Sequence, residues 1–178
     1  MLDLFAGLAK ELIPARTVLG RWPDVAGEVG PADVVVCHHV LYNVPDLAEF
    51  ATALTAHARR RVVVELTPRH PMTALNPLWQ RFHGLARPQR PTVDDAVDAL
   101  RALGLDPHTE RWSRPVQPEF ASYAEMVGTT ARRLCLPPER HAEVDKALRD
   151  LGVDPDAGLY LGSSTRELAT IWWSGLHE

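Results

Sequence analysis

The sequence contains no Gly-x-Gly, no Cys-x-x-Cys and no His-x-x-x-His. The first absence removes the turn that lets a backbone approach a bound nucleotide or cofactor closely. The other two remove the spacings that would turn eight histidines into a metal site. His38 and His39 are adjacent, so their rings should diverge unless the loop bends, and His70 and His83 would meet only through the loops between them. The two cysteines, Cys37 and Cys135, form no motif, and a reducing cytoplasm is the expected compartment. No long apolar run is present, which argues against a membrane span. MLDLFAGLAKEL lacks a basic leader region and a small-residue cleavage site. Charge of one sign is lacking too: 19 basic and 23 acidic residues are mixed, with net charge −4. Arg59-Arg60-Arg61 is the single basic run, read as a solvated helix end rather than a nucleic-acid patch.

The length of 178 residues suits one domain with a real core. Its most informative stretch is Ala32 to Leu66. Val34-Val35-Val36 and Val62-Val63-Val64 are β-branched runs without polar alternation, the pattern of strands covered on both faces. Between them a helix starts at Asp46, with Glu49 three residues on as in a capping box, and Leu47, Phe50, Ala51 and Leu54 mark one face. Strand, helix and strand make a βαβ unit, whose ligands belong at the strands' carboxyl ends. Those ends are Cys37 to Asn43 and Glu65 to His70.

Elsewhere the pattern predicts a first helix with Leu2, Phe5, Leu8, Ala9 and Leu12 on one face and Pro14 as its stop. A strand is expected at Ala15 to Leu19, a helical turn at Val25 to Val29 and a helix at Pro77 to Leu85. Thr92-Val93-Asp94-Asp95 opens a helix carrying Val93, Ala96, Val97, Leu100 and Leu103. Strands follow at Pro107 to Ser113 and Glu167 to Trp173, with helices at Ala121 to Leu134 and Pro138 to Leu151 between them. This alternation predicts an α/β fold with a helical insertion, roughly residues 115–160, before the last strand.

Asp33-Val34-Val35-Val36-Cys37-His38-His39-Val40-Leu41-Tyr42-Asn43-Val44-Pro45-Asp46 resembles the fourth-strand motif of class I S-adenosylmethionine-dependent methyltransferases. The family's pattern there is an acid, three apolar residues, a small residue, a loop with Leu and a polar pair, then Pro-Asp. Arg61-Val62-Val63-Val64-Glu65 resembles its next strand, Gly20 to Asp24 the turn after its third, and the last two strands its closing antiparallel hairpin. The resemblance implies a Rossmann-like sheet, S-adenosylmethionine as cofactor, a small-molecule acceptor and no nucleic-acid or membrane partner. It also implies a glycine-rich βαβ segment of about 30 residues or more that this sequence lacks, hence an amino-terminally truncated sheet. Asp3 is read as a first-turn helix residue rather than the family's ribose-binding acid. A non-catalytic binding module, its bare sheet edge covered by another chain such as a second copy, is the alternative.

The resemblance points to Gly20, Arg21, Trp22, Cys37, His38 and Tyr42 as cofactor-binding residues. Trp22 offers a flat face to adenine or covers a sheet edge. Cys37 offers its backbone where the chain leaves the strand. His38 and His39 contact the cofactor or substrate, take a proton from a hydroxyl acceptor as catalytic bases, or are structural loop residues. Tyr42 lines the acceptor pocket or fills space beneath the inserted helices. The aromatic segment Leu75 to Gly84 walls a substrate pocket or packs as a surface helix. Trp172 and Trp173 should face opposite sides of the sheet, in core or dimer contact.

Overall fold

In the computed structural model the two valine runs form parallel neighbours, β1 (Ala32–His38) and β2 (Ala58–Leu66). Their register pairs Val34 with Arg61 and His38 with Glu65, with an irregularity between Ala32 and Val34. The structure describes residues 2–9, 13–156, 159–160 and 165–176, with backbone alone at 2 and 3. The expectations for the side chains of Leu2, Asp3 and Leu12 lie outside the described residues.

Helix α1 (Leu2–Ala9) opens the described chain, and α2 (Leu47–His57) connects the two strands. The Asp46 carboxylate accepts from the Glu49 N–H at 2.9 Å, as the capping signal predicts. After β2 come α3 (Asn76–His83), α4 (Val93–Ala102), β3 (His108–Pro115), α5 (Tyr123–Arg133), α6 (His141–Asp150) and β4 (Thr165–Ser174). The strands lie in the order β1-β2-β4-β3. The α/β class and the helical pair before the last strand follow the sequence pattern.

The chain divides into two compact units. One comprises Met1–Glu65, Val97–Thr109 and Thr170–Glu178. Its buried residues include Phe50, Ala51 and Leu54 of α2, Val62 and Val64 of β2, and Ile171 and Trp173 of β4. The other comprises Leu66–Ala96 and Glu110–Ala169. Its core gathers Leu75 and Leu78 with Met126, Val127, Ala131 and Leu134 from α5 and Val144, Ala147 and Leu148 from α6. The Leu75 to Gly84 segment therefore lends its aliphatic residues to a core, with Trp79 and Phe82 packed against it.

Four expectations need correction. Ala15 to Leu19 forms no strand. Its residues favour extended backbone, but a strand also needs a ladder to satisfy its peptide groups, and no described strand lies beside it. Strand β1 is not covered on both faces: it is an edge strand, with Val34 48% and Val36 63% exposed. Strand β2, with a neighbour on each side, buries Val62 and Val64 completely. Arg59 to Arg61 do not end a helix. Helix α2 stops at His57 and the three arginines begin β2, where Arg59 reaches Asp33 of β1 at 3.4 Å. The apolar face expected of α1 is turned outward at Phe5 and Leu8, and among the described side chains of that face only Ala9 is buried.

Helix α4 begins with the predicted capping box. Asp95 accepts from the Thr92 N–H at 2.7 Å, and the Asp95 N–H donates to the Thr92 hydroxyl at 3.3 Å. Arg90, which bonds the same carboxylate, and then Thr92 hold the Asp95 carboxyl far below the ordinary range. A depressed folded-state value contributes stability above the unfolded value of about 4, and that stability is lost as pH falls through the folded one. Asp95→Asn should therefore flatten the acid limb of stability. Comparing urea midpoints at about pH 7 and about pH 3 checks this, and an unchanged difference between the two pH values would count against it.

Candidate functional site

A groove of about 620 Å³ runs along β1 within the first unit. Its walls include Val35, Val36, Cys37 and His38 of the strand, Val40, Val44 and Pro45 of the following loop, Phe50 and Leu54 of α2, and the Arg21-Trp22 turn. No aspartate or glutamate is among the described lining residues.

The Trp22 turn and His38 lie at opposite ends of this groove. The Trp22 ring packs edge-on against His57, with centroids 4.9 Å apart. His57 ends α2 and is followed by Ala58, which pairs with Ala32 at the start of β1. His38 ends β1, six residues further on or about 20 Å at 3.3 Å per residue. The indole Nε1–H of Trp22 is buried and has no protein partner. Gly20 does not line the groove, but its position excludes a side chain: a Cβ there would run into Val25.

At the carboxyl end the rings of His38 and His39 do not diverge. His39 adopts a left-handed backbone, φ 57°, and its N–H donates to the Glu65 carbonyl at 2.8 Å. This bend brings His39 Nε2 to 3.4 Å and His38 Nδ1 to 3.8 Å from one Glu65 carboxylate oxygen. The His38 side chain is 52% exposed and Glu65 only 17%. His38 lines the groove, whereas His39 and Tyr42 do not. Glu65 is the residue that the site expectations omitted. The signal for it was the parallel pairing of the two strands, which sets their carboxyl ends side by side.

Cys37 is buried at the end of β1, and burial pushes its thiol up to about 11. Cys135 is exposed. A thiol reagent at about pH 8 should label Cys135 and spare Cys37 until denaturant is added. Two fast-reacting thiols in the folded protein would contradict this placement. No group of three or more His, Cys, Asp or Glu among the described residues could hold a metal ion. No helix among them is long and apolar enough to cross a membrane.

No family model and no curated protein sequence matches the chain. Solved structures do. The YcgJ protein of Bacillus subtilis aligns over 99% of this chain and 76% of its own, with TM-score 0.52 and 14% identity. The chain shares that protein's α/β fold. A putative methyltransferase of Bacillus halodurans aligns over 80% of this chain and 68% of its own, with TM-score 0.40 and 12% identity. Magnesium protoporphyrin IX methyltransferase of Synechocystis, solved with S-adenosylhomocysteine, aligns over 83% of this chain and 48% of its own, with TM-score 0.39 and 16% identity. At such identities the likeness is one of fold.

The groove matches S-adenosylmethionine, the cofactor expected from the resemblance of Asp33 to Asp46, in part. Trp22 and the valines suit a flat apolar ring, and the unpartnered Trp22 N–H suits a ring nitrogen as acceptor. The ribose diol and the methionine ammonium call for a carboxylate, and none is among the described lining residues. The described lining residues fit the base and do not supply the groups that the sugar and the amino-acid end call for.

Proposed function

We propose that this chain is a domain of an S-adenosylmethionine-dependent methyltransferase acting on a small-molecule acceptor. The observation that carries this reading is the groove past a class I methyltransferase-type βαβ unit, with His38 at the strand's carboxyl end. The cofactor would supply an electrophilic methyl group. The protein's part is positioning, exclusion of water and management of the acceptor's proton. His38 is the residue assigned to that proton, because it alone of the two histidines lines the groove.

Calorimetric titration with S-adenosylhomocysteine tests the reading. Micromolar binding supports it. A folded protein that takes up no S-adenosylhomocysteine would count against cofactor use by this chain alone.

A second reading is favoured by the exposure of β1. An apolar edge strand with Val34 and Val36 uncovered is a template for pairing with another chain. On this reading the domain is a non-catalytic interaction module that forms a homodimer. Size-exclusion chromatography with light scattering separates the two readings: a clean monomer speaks against the module.

A further inference from the structure

We propose that His57 is a positioning residue: as an imidazolium it ties the Trp22 turn to the end of α2, so that a proton holds one wall of the groove. The consequence for a bound cofactor rests on the methyltransferase reading, and the clamp itself does not.

The first observation is that both ring nitrogens of His57 face oxygens that can only accept. Nδ1 lies 2.9 Å from the Ala53 carbonyl, one turn back in α2. Nε2 lies 3.0 Å from the Ala26 carbonyl, 31 residues away in the turn that follows Trp22. Both are hydrogen-bond lengths. A neutral imidazole has one N–H and one lone pair, so one of the two carbonyls would meet a lone pair. The imidazolium donates to both, and bonds from a charged donor are the stronger kind.

The second observation is where the ring stands. His57 is the last residue of α2, where the helix dipole favours a cation. The described histidines with a carboxylate in ion-pair range are His38, His39 and His108, so His57 is held by carbonyls rather than by a carboxylate. The charged groups on the elements around it are Arg21, Asp24 and Glu28 of the turn, Glu49 of α2, Asp33 of β1 and Arg59 of β2. Asp33 and Arg59 engage each other at 3.4 Å.

The third observation is what the bond holds. The Ala26 carbonyl also accepts the Val29 N–H at 3.1 Å, and the Ala26 N–H donates to the Pro23 carbonyl at 2.8 Å. His57 thus grips the middle of a segment whose two ends, Arg21-Trp22 and Val29-Gly30, wall the groove. The Trp22 ring packs against His57 itself. Loss of the proton leaves one bond of the two, either the grip on the turn or the anchor on α2. The wall therefore loosens as pH rises.

NMR of the full chain tests this without a ligand, at about pH 5.5 and about pH 8.5, either side of the ordinary histidine value. On the acid side both ring N–H protons of His57 should be visible, because carbonyls shield them from exchange with water. Protection of the Ala26 and Val29 amides, corrected for intrinsic exchange, should be about tenfold higher there than on the alkaline side, the scale of one charge-assisted hydrogen bond. His57→Phe keeps a ring against Trp22 and removes both donors, so protection should be low and equal at the two pH values. His57→Gln donates from one nitrogen and does not titrate, so its protection should also be flat. Aspartate, glutamate and arginine ordinarily keep their charge across this range, which leaves histidines as the responding groups. One visible ring proton or none, or equal wild-type protection at both pH values, overturns the clamp even if neither variant folds. A pH response that survives His57→Phe or His57→Gln assigns it to another histidine and overturns the clamp too. S-adenosylhomocysteine, titrated under the same two conditions, should bind the wild type more tightly on the acid side, and His57→Gln should lose most of that difference. The protection pattern without S-adenosylhomocysteine binding supports the clamp and removes the cofactor reading instead.

Discussion

Replacing Trp173 with alanine should lower the unfolding free energy by about 3–5 kcal/mol. Trp173 is the largest of the fully buried side chains, only 2% exposed, on β4 in the first unit. Alanine would forfeit the ring's transfer from water and leave a cavity that a packed core fills only in part. The polar edge adds to the loss. The Trp173 Nε1–H donates to the Thr55 hydroxyl at 2.8 Å, and that hydroxyl donates to the Ala51 carbonyl at 2.8 Å. Thr55→Val would leave the indole N–H buried without an acceptor, at a cost of about 1–3 kcal/mol. Urea unfolding with a common slope measures both values. A loss below about 1 kcal/mol for Trp173→Ala would mean that the core closes over the gap, contrary to this account.

His38→Gln should reduce turnover about 10²–10⁴-fold once an acceptor is in hand, with S-adenosylhomocysteine affinity little changed. The split follows from placement. His38 stands half exposed at the carboxyl end of β1 and is assigned to the acceptor's proton rather than to the cofactor. Removing a proton acceptor weakens the chemical step, whereas removing a binding contact weakens affinity. Equal losses in turnover and affinity would show that His38 only holds the cofactor. His39→Gln should behave differently, because its ring does not line the groove. Its loss should reach turnover only through the position of Glu65.

Much of this was legible in the sequence because it is encoded over short distances. A capping box needs four residues, and both of those named before α2 and α4 place helix starts where the bonds from Asp46 and Thr92 are found. The β-branched runs mark β1 and β2, and the helical periodicities place α5 and α6 within about three residues of their ends. The likeness of Asp33 to Asp46 to a methyltransferase strand led to His38 through a local motif. Glu65 escaped notice as a site residue because its role depends on strand pairing and on one backbone angle at His39.

By itself, then, the sequence determined the α/β class, the βαβ unit, the helical pair before the last strand and the loop that carries His38. Only the tertiary structure decided that β1 lies at an edge, that Ala15 to Leu19 has no ladder, that Arg59 to Arg61 start a strand, and that Trp22 and His38 stand at opposite ends of one groove. The physical reason is that propensity and capping are properties of neighbours along the chain. Burial, strand partnership and the convergence of His38, His39 and Glu65 are properties of neighbours in space, set by which surfaces the rest of the fold leaves uncovered.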